Sequence, residues 1–285
     1  MGRKIIGLIV AWAAEDFIEP CIVQGLEYCD EVHVCIAPHS EEMKKFKDST
    51  DEIVDRYRNS VNIVKLDGVK NHSQVKAAIL NSMLDMSKIF HVDNWIWTLD
   101  VDEFYPHISF ENVKLLIEEN ICDQIGFEEF YFYINMQHCL VGNHNRLFKI
   151  KESNLDRKFR FLPTQYWQGS KCINYIPLRA GGMFHYGMLT NPFAKDAFWR
   201  TEYEEKEQSN KVTWLNEIYK NYDLSDENRW IEENERLFGI KSPWFSDSFL
   251  PGEDNKLIKF NAIHPWAIRD TGLDKIVDFR RRYGF

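Results

Sequence analysis

The stretch WIWTLDVDEFYP, residues 95 to 106, joins a hydrophobic strand directly to a cluster of carboxylates. Its first five residues favour a buried strand, and three of the next four are acidic. Side chains alternate along a strand, so Asp100 and Asp102 point the same way if the extension continues through Val101. Two ionised carboxylates that lie close repel each other, and burial strengthens this repulsion. Protonation of one carboxylate, exposure to water or a bound divalent cation would each relieve it.

The placement of the carboxylates favours the cation. Asp-x-Asp alone is a weak signal, because such residues also end strands and cap turns through backbone amides. Here it follows an alternation that predicts a parallel sheet with right-handed crossovers, in which ligands bind beyond the carboxyl ends of the strands. The expected strands are 4–12, 31–37, 61–68 and 94–100, and the expected helices are 15–29, 41–59 and 72–90.

The second half of the chain is less regular. The expected elements are a helix at 111–120, strands at 123–136, 146–150 and 173–187, and a charged helical pattern at 192–221. Neither a low-complexity linker nor an internal repeat interrupts the sequence. We therefore expect one α/β domain over 1–285, regular to about residue 105 and a less regular α+β unit from about 106 to 285.

Charge and cysteine content limit the class of protein. The net charge of -9 argues against a protein that coats DNA or anionic membrane, although Arg280, Arg281 and Arg282 form one basic cluster. Six cysteines without a CxxC pair are typical of thiols in a reducing compartment. The apolar run 4–12 is shorter than the roughly 20 residues that span a bilayer, and no signal-peptide cleavage site follows it. These features predict a cytoplasmic protein without a transmembrane segment.

A family resemblance rests on several of these segments. WIWTLDVDEF resembles the LDxDEF version of the DxD motif in GT-A glycosyltransferases, especially glycosyltransferase family 2. The segment 7–34 is similar to the opening strand, acidic turn, helix and second strand of that family, and RLFK (146–149) and FHYG (184–187) resemble further features. The resemblance implies a GT-A fold: a Rossmann-like, mainly parallel sheet flanked by helices. Its nucleotide-sugar-binding half would span about 1–105, and its acceptor-binding half and C-terminal helices about 106–285.

The resemblance also implies a donor and a metal. The donor would be a nucleotide-diphosphate sugar, with a UDP-sugar expected, and the cofactor Mn²⁺ or Mg²⁺. Asp100 would approach the ribose, Asp102 would ligate the metal, and His185 would supply a further ligand, with His264 as the reserve candidate. The sequence departs from the family at the end of the second strand, where Pro38–Ser40 replace a common Asp-Asp-Gly-Ser.

Further donor contacts follow from the same resemblance. Ala11, Trp12 and Glu15 would form the base pocket at the end of the first strand, and Trp12 could stack on a base or pack in the core. Lys76 and Arg146 would assist the diphosphate, although an exposed lysine and a surface ion pair are the ordinary roles of such residues.

An inverting transferase needs a carboxylate base on the acceptor side, and inversion is the expected outcome. Glu128 and Glu129 are the candidates, and strand alternation puts only one of them on the cleft face. The aromatic residues at 130–133, together with Tyr166 and Trp167, suit a sugar or a base, and equally suit core packing.

Three classes of function stay open at this point. The first is a metal-dependent glycosyltransferase acting on a glycan, a lipid-linked sugar, a protein or a modified nucleic-acid base, as some phage glycosyltransferases do. A nucleotidyltransferase would share the sheet and the acidic site, but the first strand is not followed by a glycine-rich loop such as GxGxRL. A non-catalytic nucleotide-sugar-binding protein of the same fold is the third.

Overall fold

The computed structural model of the chain describes residues 2–38, 41–66, 72–133, 135–152, 173–202, 212–213, 215–221, 229–238, 258–276 and 278–283. Within these ranges, ten strands and seven α-helices are present. The strands are β1 Ile5–Ala11, β2 Glu31–Ile36, β3 Asn62–Lys65, β4 Trp95–Asp100, β5 Glu103–Phe104, β6 Gln124–Tyr133, β7 Asn135–Lys149, β8 Ile173–Ile176, β9 Met183–His185 and β10 Ile258–Lys259. The helices are α1 Ile18–Tyr28, α2 Thr50–Arg56, α3 His72–Met86, α4 His107–Glu119, α5 Pro192–Glu202, α6 Arg229–Phe238 and α7 Trp266–Thr271.

All described strands belong to one sheet. Its order is β3-β2-β1-β4-β7-β6-β9-β5, with β10 beside β7 and β8 beside β6. The strands β1 to β4 run parallel, while β7 is antiparallel to both β4 and β6. The expected α/β class, with a mainly parallel sheet flanked by helices and a less regular second half, is confirmed.

The central strand β1 is buried on both faces. All seven of its residues are buried, as the continuous apolar run predicts for a parallel strand. Ile5 and Ile9 pack in one hydrophobic cluster with residues of α1, and Ile6 and Leu8 pack in a second cluster with residues of α3. The helices therefore cover both faces of the sheet and leave the strand ends as the open edge.

The strand order reverses at β1. The chain passes from β1 to β2 and β3 on one side, and then returns so that β4 lies on the other side of β1. In such sheets the crevice between the carboxyl ends of the two diverging strands is the usual ligand site. Val10 of β1 pairs with Asp100 of β4, which puts the carboxylate cluster at this crevice.

Packed aromatic rings lie beneath the carboxylates. Trp97 is fully buried, and its ring stacks on Tyr28 and Phe127 at centroid distances of 6.1 and 6.0 Å. Tyr105 meets Trp97 edge-on at 4.8 Å. Such ring pairs contribute about 0.5–1.5 kcal/mol each beyond the burial of their area, so the site rests on a rigid base.

The bounds of one predicted helix and one predicted strand were wrong. The expected helix 41–59 is a 3₁₀ turn at Met43–Lys45 followed by α2, because Asp48 Oδ1 accepts the Thr50 amide at 3.0 Å and starts a new helix there. The strand expected at 146–150 is the end of the 15-residue strand β7. The first part of β7 pairs along β6. Its polar residues and Gly142 do not have a strand-like pattern, so the sequence did not predict it.

Candidate active site

The carboxylate cluster follows a turn and not a continued strand. β4 ends at Asp100, the chain turns through Val101 and Asp102, and β5 begins at Glu103. The extension does not continue through Val101, so the alternation that would align Asp100 with Asp102 does not apply. The turn leaves the Asp100 side chain 28% exposed, Asp102 mostly buried at the cleft and Glu103 fully buried.

Arg146 holds two of the three carboxylates together. Its guanidinium donates from Nε to Glu103 Oε2 at 2.6 Å and from Nη2 to Glu103 Oε1, and Nη2 also donates to Asp100 Oδ2 at 3.2 Å. Burial alone would lower the pKa of Arg146, but Glu103 and Asp100 raise it well above its ordinary value. This buried arginine neutralises the carboxylates, and its expected contact with a diphosphate stays a prediction.

Hydrogen bonds to the backbone fix the turn on both sides. The buried Gln24 donates to the Glu103 carbonyl at 2.7 Å and accepts the Tyr105 amide at 3.1 Å. The Tyr186 amide donates to the Asp102 carbonyl at 2.7 Å. The main chain around Asp102 is thus tied to α1 and to the end of β9, which limits how far its carboxylate can move.

His185 lies opposite Asp102 and fits the role of a second metal ligand. Its Nε2 atom is 3.7 Å from Asp102 Oδ1, and its Nδ1 atom is 3.1 Å from Glu129 Oε2. Mn²⁺ or Mg²⁺ binds at roughly 2.1 Å from its ligands, so two donor atoms at this separation can hold one ion. Burial lowers the pKa of His185, but Glu129, Asp102 and Glu103 outweigh it and the net shift is upward.

Gly187 leaves the space beside these donor atoms free. A Cβ at this position would lie 2.6 Å from His185 Nε2 and 3.3 Å from Asp102 Oδ2. The first of these distances is shorter than carbon and nitrogen atoms tolerate without movement. The glycine of the FHYG segment therefore preserves the room that a cation between Asp102 and His185 would need.

The two candidate bases point to opposite sides of β6. Glu128 Oε2 accepts the amide of Leu178 at 3.0 Å and so caps the 3₁₀ turn Leu178–Ala180. Glu129 is fully buried, and its two oxygens lie 2.9 Å from His144 Nδ1 and 3.1 Å from His185 Nδ1. Alternation separates the pair as expected, and a catalytic role for either glutamate stays a prediction.

A cleft opens at the reversal of strand order, with about 560 Å³ of empty space that includes open solvent at its mouth. Its walls come from the ends of β1 and β4, from the segment that contains Met43, and from the start of α5. The lining residues are Val10, Trp12, Ala13, Ala14, Met43, Val101, Asp102, Thr190, Asn191, Ala194 and Lys195. Asp102 and Lys195 thus bring one negative and one positive side chain to the same cleft.

Trp12 is the predicted donor-binding residue that lines this cleft. Its indole Nε1 donates to the Met43 carbonyl at 2.7 Å, which fixes the ring at the cleft wall. The adjacent Ala13 has a φ of 50°, a left-handed conformation that costs a non-glycine residue about 1 kcal/mol or more. The strained turn after β1 therefore lines the same cleft as Asp102.

Two other predicted donor residues, Ala11 and Glu15, are not among the residues that line this cleft. Ala11 is buried in the sheet, and its carbonyl accepts the Ala37 amide at 3.2 Å. Glu15 is exposed, and its Oε2 accepts the amide of Ser49 at 3.2 Å. Lys76 is on α3, and its side chain lies outside the described part of the chain.

His264, the reserve candidate for a metal ligand, is hydrogen-bonded to two groups of the core. His264 Nδ1 is 2.8 Å from the Tyr186 hydroxyl, and its Nε2 is 3.0 Å from the Met136 carbonyl. Burial lowers the pKa of His264, as expected for a core histidine. Phe132, one of the aromatic residues at 130–133 that suit a sugar or a base, is fully buried. Its ring stacks on Tyr186 with a centroid distance of 4.8 Å, so Phe132 packs in the core.

The site also contains residues that the sequence does not mark as functional. Gln24 and His144 contribute to the site, and nothing in their local sequence marks them out. Glu103 belongs to the predicted carboxylate cluster, but its pairing with Arg146 was not predicted. Tyr166, Trp167, His39 and Ser40 lie outside the described residues. Among the helices that are described, we find none with the length and apolar character needed to cross a bilayer.

Comparisons with known proteins add structural likenesses at low identity. No protein-family model matches the chain, and no curated protein sequence matches it. A crystal structure of residues 1–349 of S. aureus TarS is 12% identical, covers 80% of this chain and 78% of that one, and gives a TM-score of 0.41. A structure of 4-diphosphocytidyl-2C-methyl-D-erythritol synthase is 13% identical, with 74% and 85% coverage and a TM-score of 0.32. Both TM-scores lie below 0.5, so we take the function from the geometry of the cleft.

Proposed function

We propose that this chain is a metal-dependent glycosyltransferase that transfers a sugar from a nucleotide-diphosphate donor to an acceptor hydroxyl. The observation that carries the proposal is the position of Asp102. Its carboxylate lines the cleft at the reversal of strand order and has His185 Nε2 3.7 Å away. A divalent ion could bind to this carboxylate and this imidazole. The open space beside them would leave its other coordination positions to phosphate oxygens of the donor.

The donor would lie across the ends of β1 and β4. Trp12 offers an aromatic face for the base, as the resemblance to glycosyltransferase family 2 implies, and Asp100 is exposed enough to accept a ribose hydroxyl. Lys195 and the first turn of α5 bring positive charge to the opposite wall of the cleft, where a diphosphate is favoured. A UDP-sugar is the donor that we propose to test first.

The protein's own residues prepare the site for the ion. Asp102 and His185 would hold it, while Arg146 and Glu103 keep Asp100 in place. Bound Mn²⁺ or Mg²⁺ would supply Lewis-acid stabilisation of the leaving diphosphate. The packed turn and its backbone hydrogen bonds hold these side chains in position before a ligand binds. A site arranged in advance needs no reorganisation during the reaction, which lowers the barrier.

Ligand-dependent melting tests this proposal. We expect one of the UDP-, GDP-, CDP- or dTDP-sugars to raise the melting temperature in the presence of Mn²⁺ and not in the presence of EDTA. A ligand at about 100 times its dissociation constant stabilises the folded state by about 2.7 kcal/mol, which corresponds to several degrees in a chain of this size.

The same assay separates the proposed function from its rivals. Nucleoside triphosphates are included in the panel, because one of them would raise the melting temperature of a nucleotidyltransferase. Incubation with that triphosphate and an acceptor would then release pyrophosphate. A glycosyltransferase should instead release a nucleoside diphosphate from the sugar nucleotide. If none of the sugar nucleotides shifts the melting temperature with Mn²⁺ present, the proposal is wrong.

A further inference from the structure

Glu129 forms the centre of a buried group of ionisable side chains behind the cleft. It has no exposed surface, and each of its carboxylate oxygens faces a different histidine. Oε1 lies 2.9 Å from His144 Nδ1 and Oε2 lies 3.1 Å from His185 Nδ1. Burial raises the pKa of Glu129, but the two histidines lower it further than burial raises it, and the net shift is downward. Both oxygens of this carboxylate therefore face partners within the protein.

Such a carboxylate is badly placed to act as a general base. A base must come within hydrogen-bond distance of the acceptor hydroxyl, and Glu129 has no exposed surface at which to meet one. Its two hydrogen bonds also occupy both oxygens. The same contacts serve well to orient an imidazole, because a ring held at one nitrogen presents the other in a fixed direction.

The two nitrogens of His185 face different groups. Nδ1 faces Glu129, whereas Nε2 faces Asp102 Oδ1 at 3.7 Å and the space left by Gly187. When Nδ1 donates its proton to Glu129, Nε2 carries the lone pair that a metal requires. The ring of Tyr131 packs edge-on against His185 at 4.4 Å, so the imidazole could not rotate toward Tyr131 without displacing it.

We propose that Glu129, supported by His144, is a positioning residue that aims His185 Nε2 at Asp102 and so completes a divalent-cation site. The inference rests on the proposed function, because it concerns the same cleft. It reassigns Glu129 from the acceptor side of the reaction to the support of a metal ligand. Carboxylates that hold metal-binding histidines typically change metal affinity by about 10- to 100-fold when they are replaced.

A different cation site can be built from the same residues and must be distinguished. One ligand atom each from Glu129, His144 and His185 lie within 4.8 Å of one another, so an ion bound directly by these three is the rival arrangement. The two arrangements differ in the importance of His144 and Asp102. In the rival site His144 is an essential ligand and Asp102 is not a ligand at all.

The experiment compares Mn²⁺ dissociation constants by calorimetry, and by the electron paramagnetic resonance signal of free Mn²⁺, for five full-length proteins. They are the unchanged protein, Glu129→Gln, His144→Gln, Asp102→Asn and Glu128→Gln. The last is a matched control, since Glu128 is the neighbouring residue and caps Leu178 on the other face of β6. Melting temperatures without metal report folding, and His144, with 35% of its side chain exposed, is a site where substitution is tolerated more easily.

We expect Mn²⁺ to bind about 10- to 100-fold more weakly to Glu129→Gln and a few-fold more weakly to His144→Gln. Asp102→Asn should lose measurable binding, and Glu128→Gln should keep the original affinity. Donor hydrolysis by Glu129→Gln should recover when Mn²⁺ is raised to saturation, which the loss of a general base would not allow. If Glu129→Gln does not fold, the affinity of His144→Gln decides.

Several results would overturn the inference in distinguishable ways. Undiminished Mn²⁺ affinity in both Glu129→Gln and His144→Gln removes the positioning role and leaves the proposed function in place. Loss of binding in His144→Gln with full binding in Asp102→Asn assigns the ion to the rival site. Absence of Mn²⁺ binding to the unchanged protein overturns this inference and the metal requirement of the proposed function together.

Discussion

Asp102→Asn should reduce donor turnover by about a thousandfold or more while leaving the fold intact. The amide keeps the shape of the carboxylate but loses the charge that a divalent ion requires. Metal stabilisation of a leaving group contributes several kcal/mol, and each 1.4 kcal/mol or so is about tenfold in rate. The measurement is release of nucleoside diphosphate from the sugar nucleotide at saturating Mn²⁺, with circular dichroism to show that the protein is folded.

Asp93→Asn is the matched control for this prediction. Asp93 precedes the same strand at its opposite end, where its side chain is 61% exposed. Its φ of 72° is a left-handed conformation that asparagine adopts readily. This variant should turn over the donor at the original rate. Equal activity in the two variants would show that Asp102 does not hold the metal.

Arg146→Met should lower the free energy of unfolding by about 3–5 kcal/mol. The substitution removes the guanidinium that neutralises the fully buried Glu103 and leaves that charge without its main partner. Glu103 would then keep the Tyr105 hydroxyl at 3.3 Å and the more distant His185 Nδ1 at 4.0 Å. Urea denaturation, followed by circular dichroism with linear extrapolation, measures the change.

Two comparisons make the stability prediction specific. Arg236 forms an exposed ion pair with Glu233 at 2.6 Å, so Arg236→Met should cost less than about 1 kcal/mol. The double variant Arg146→Met with Glu103→Gln should recover part of the loss, because no charge is then left buried alone. A change below 1 kcal/mol or so in Arg146→Met would contradict the bracing role that we assign to this arginine.

The sequence was sufficient for the parts of the fold that depend on local pattern. Continuous apolar runs predicted β1 and β4 as buried parallel strands, and the acidic run after Leu99 predicted where the cleft would lie. These predictions succeed because a strand that is buried on both faces requires a continuous run of apolar residues, which is visible in the sequence.

The contacts within the site depended on register, which the sequence did not reveal. Glu129, His144 and His185 lie on three neighbouring strands, β6, β7 and β9, and meet only because of how these strands pair. The pairing of β6 with β7 shifts at two irregularities, and the first part of β7 has no strand-like pattern. Long-range pairing therefore decided which carboxylate orients a histidine and which arginine braces the cluster.

Anomalous diffraction at the manganese edge tests the central claim most directly. Crystals grown with Mn²⁺ and a nucleoside diphosphate should show one strong peak between Asp102 and His185 Nε2, with diphosphate oxygens completing the coordination. The account is contradicted by a peak bound to His144, or by a fully occupied nucleotide with no manganese beside Asp102.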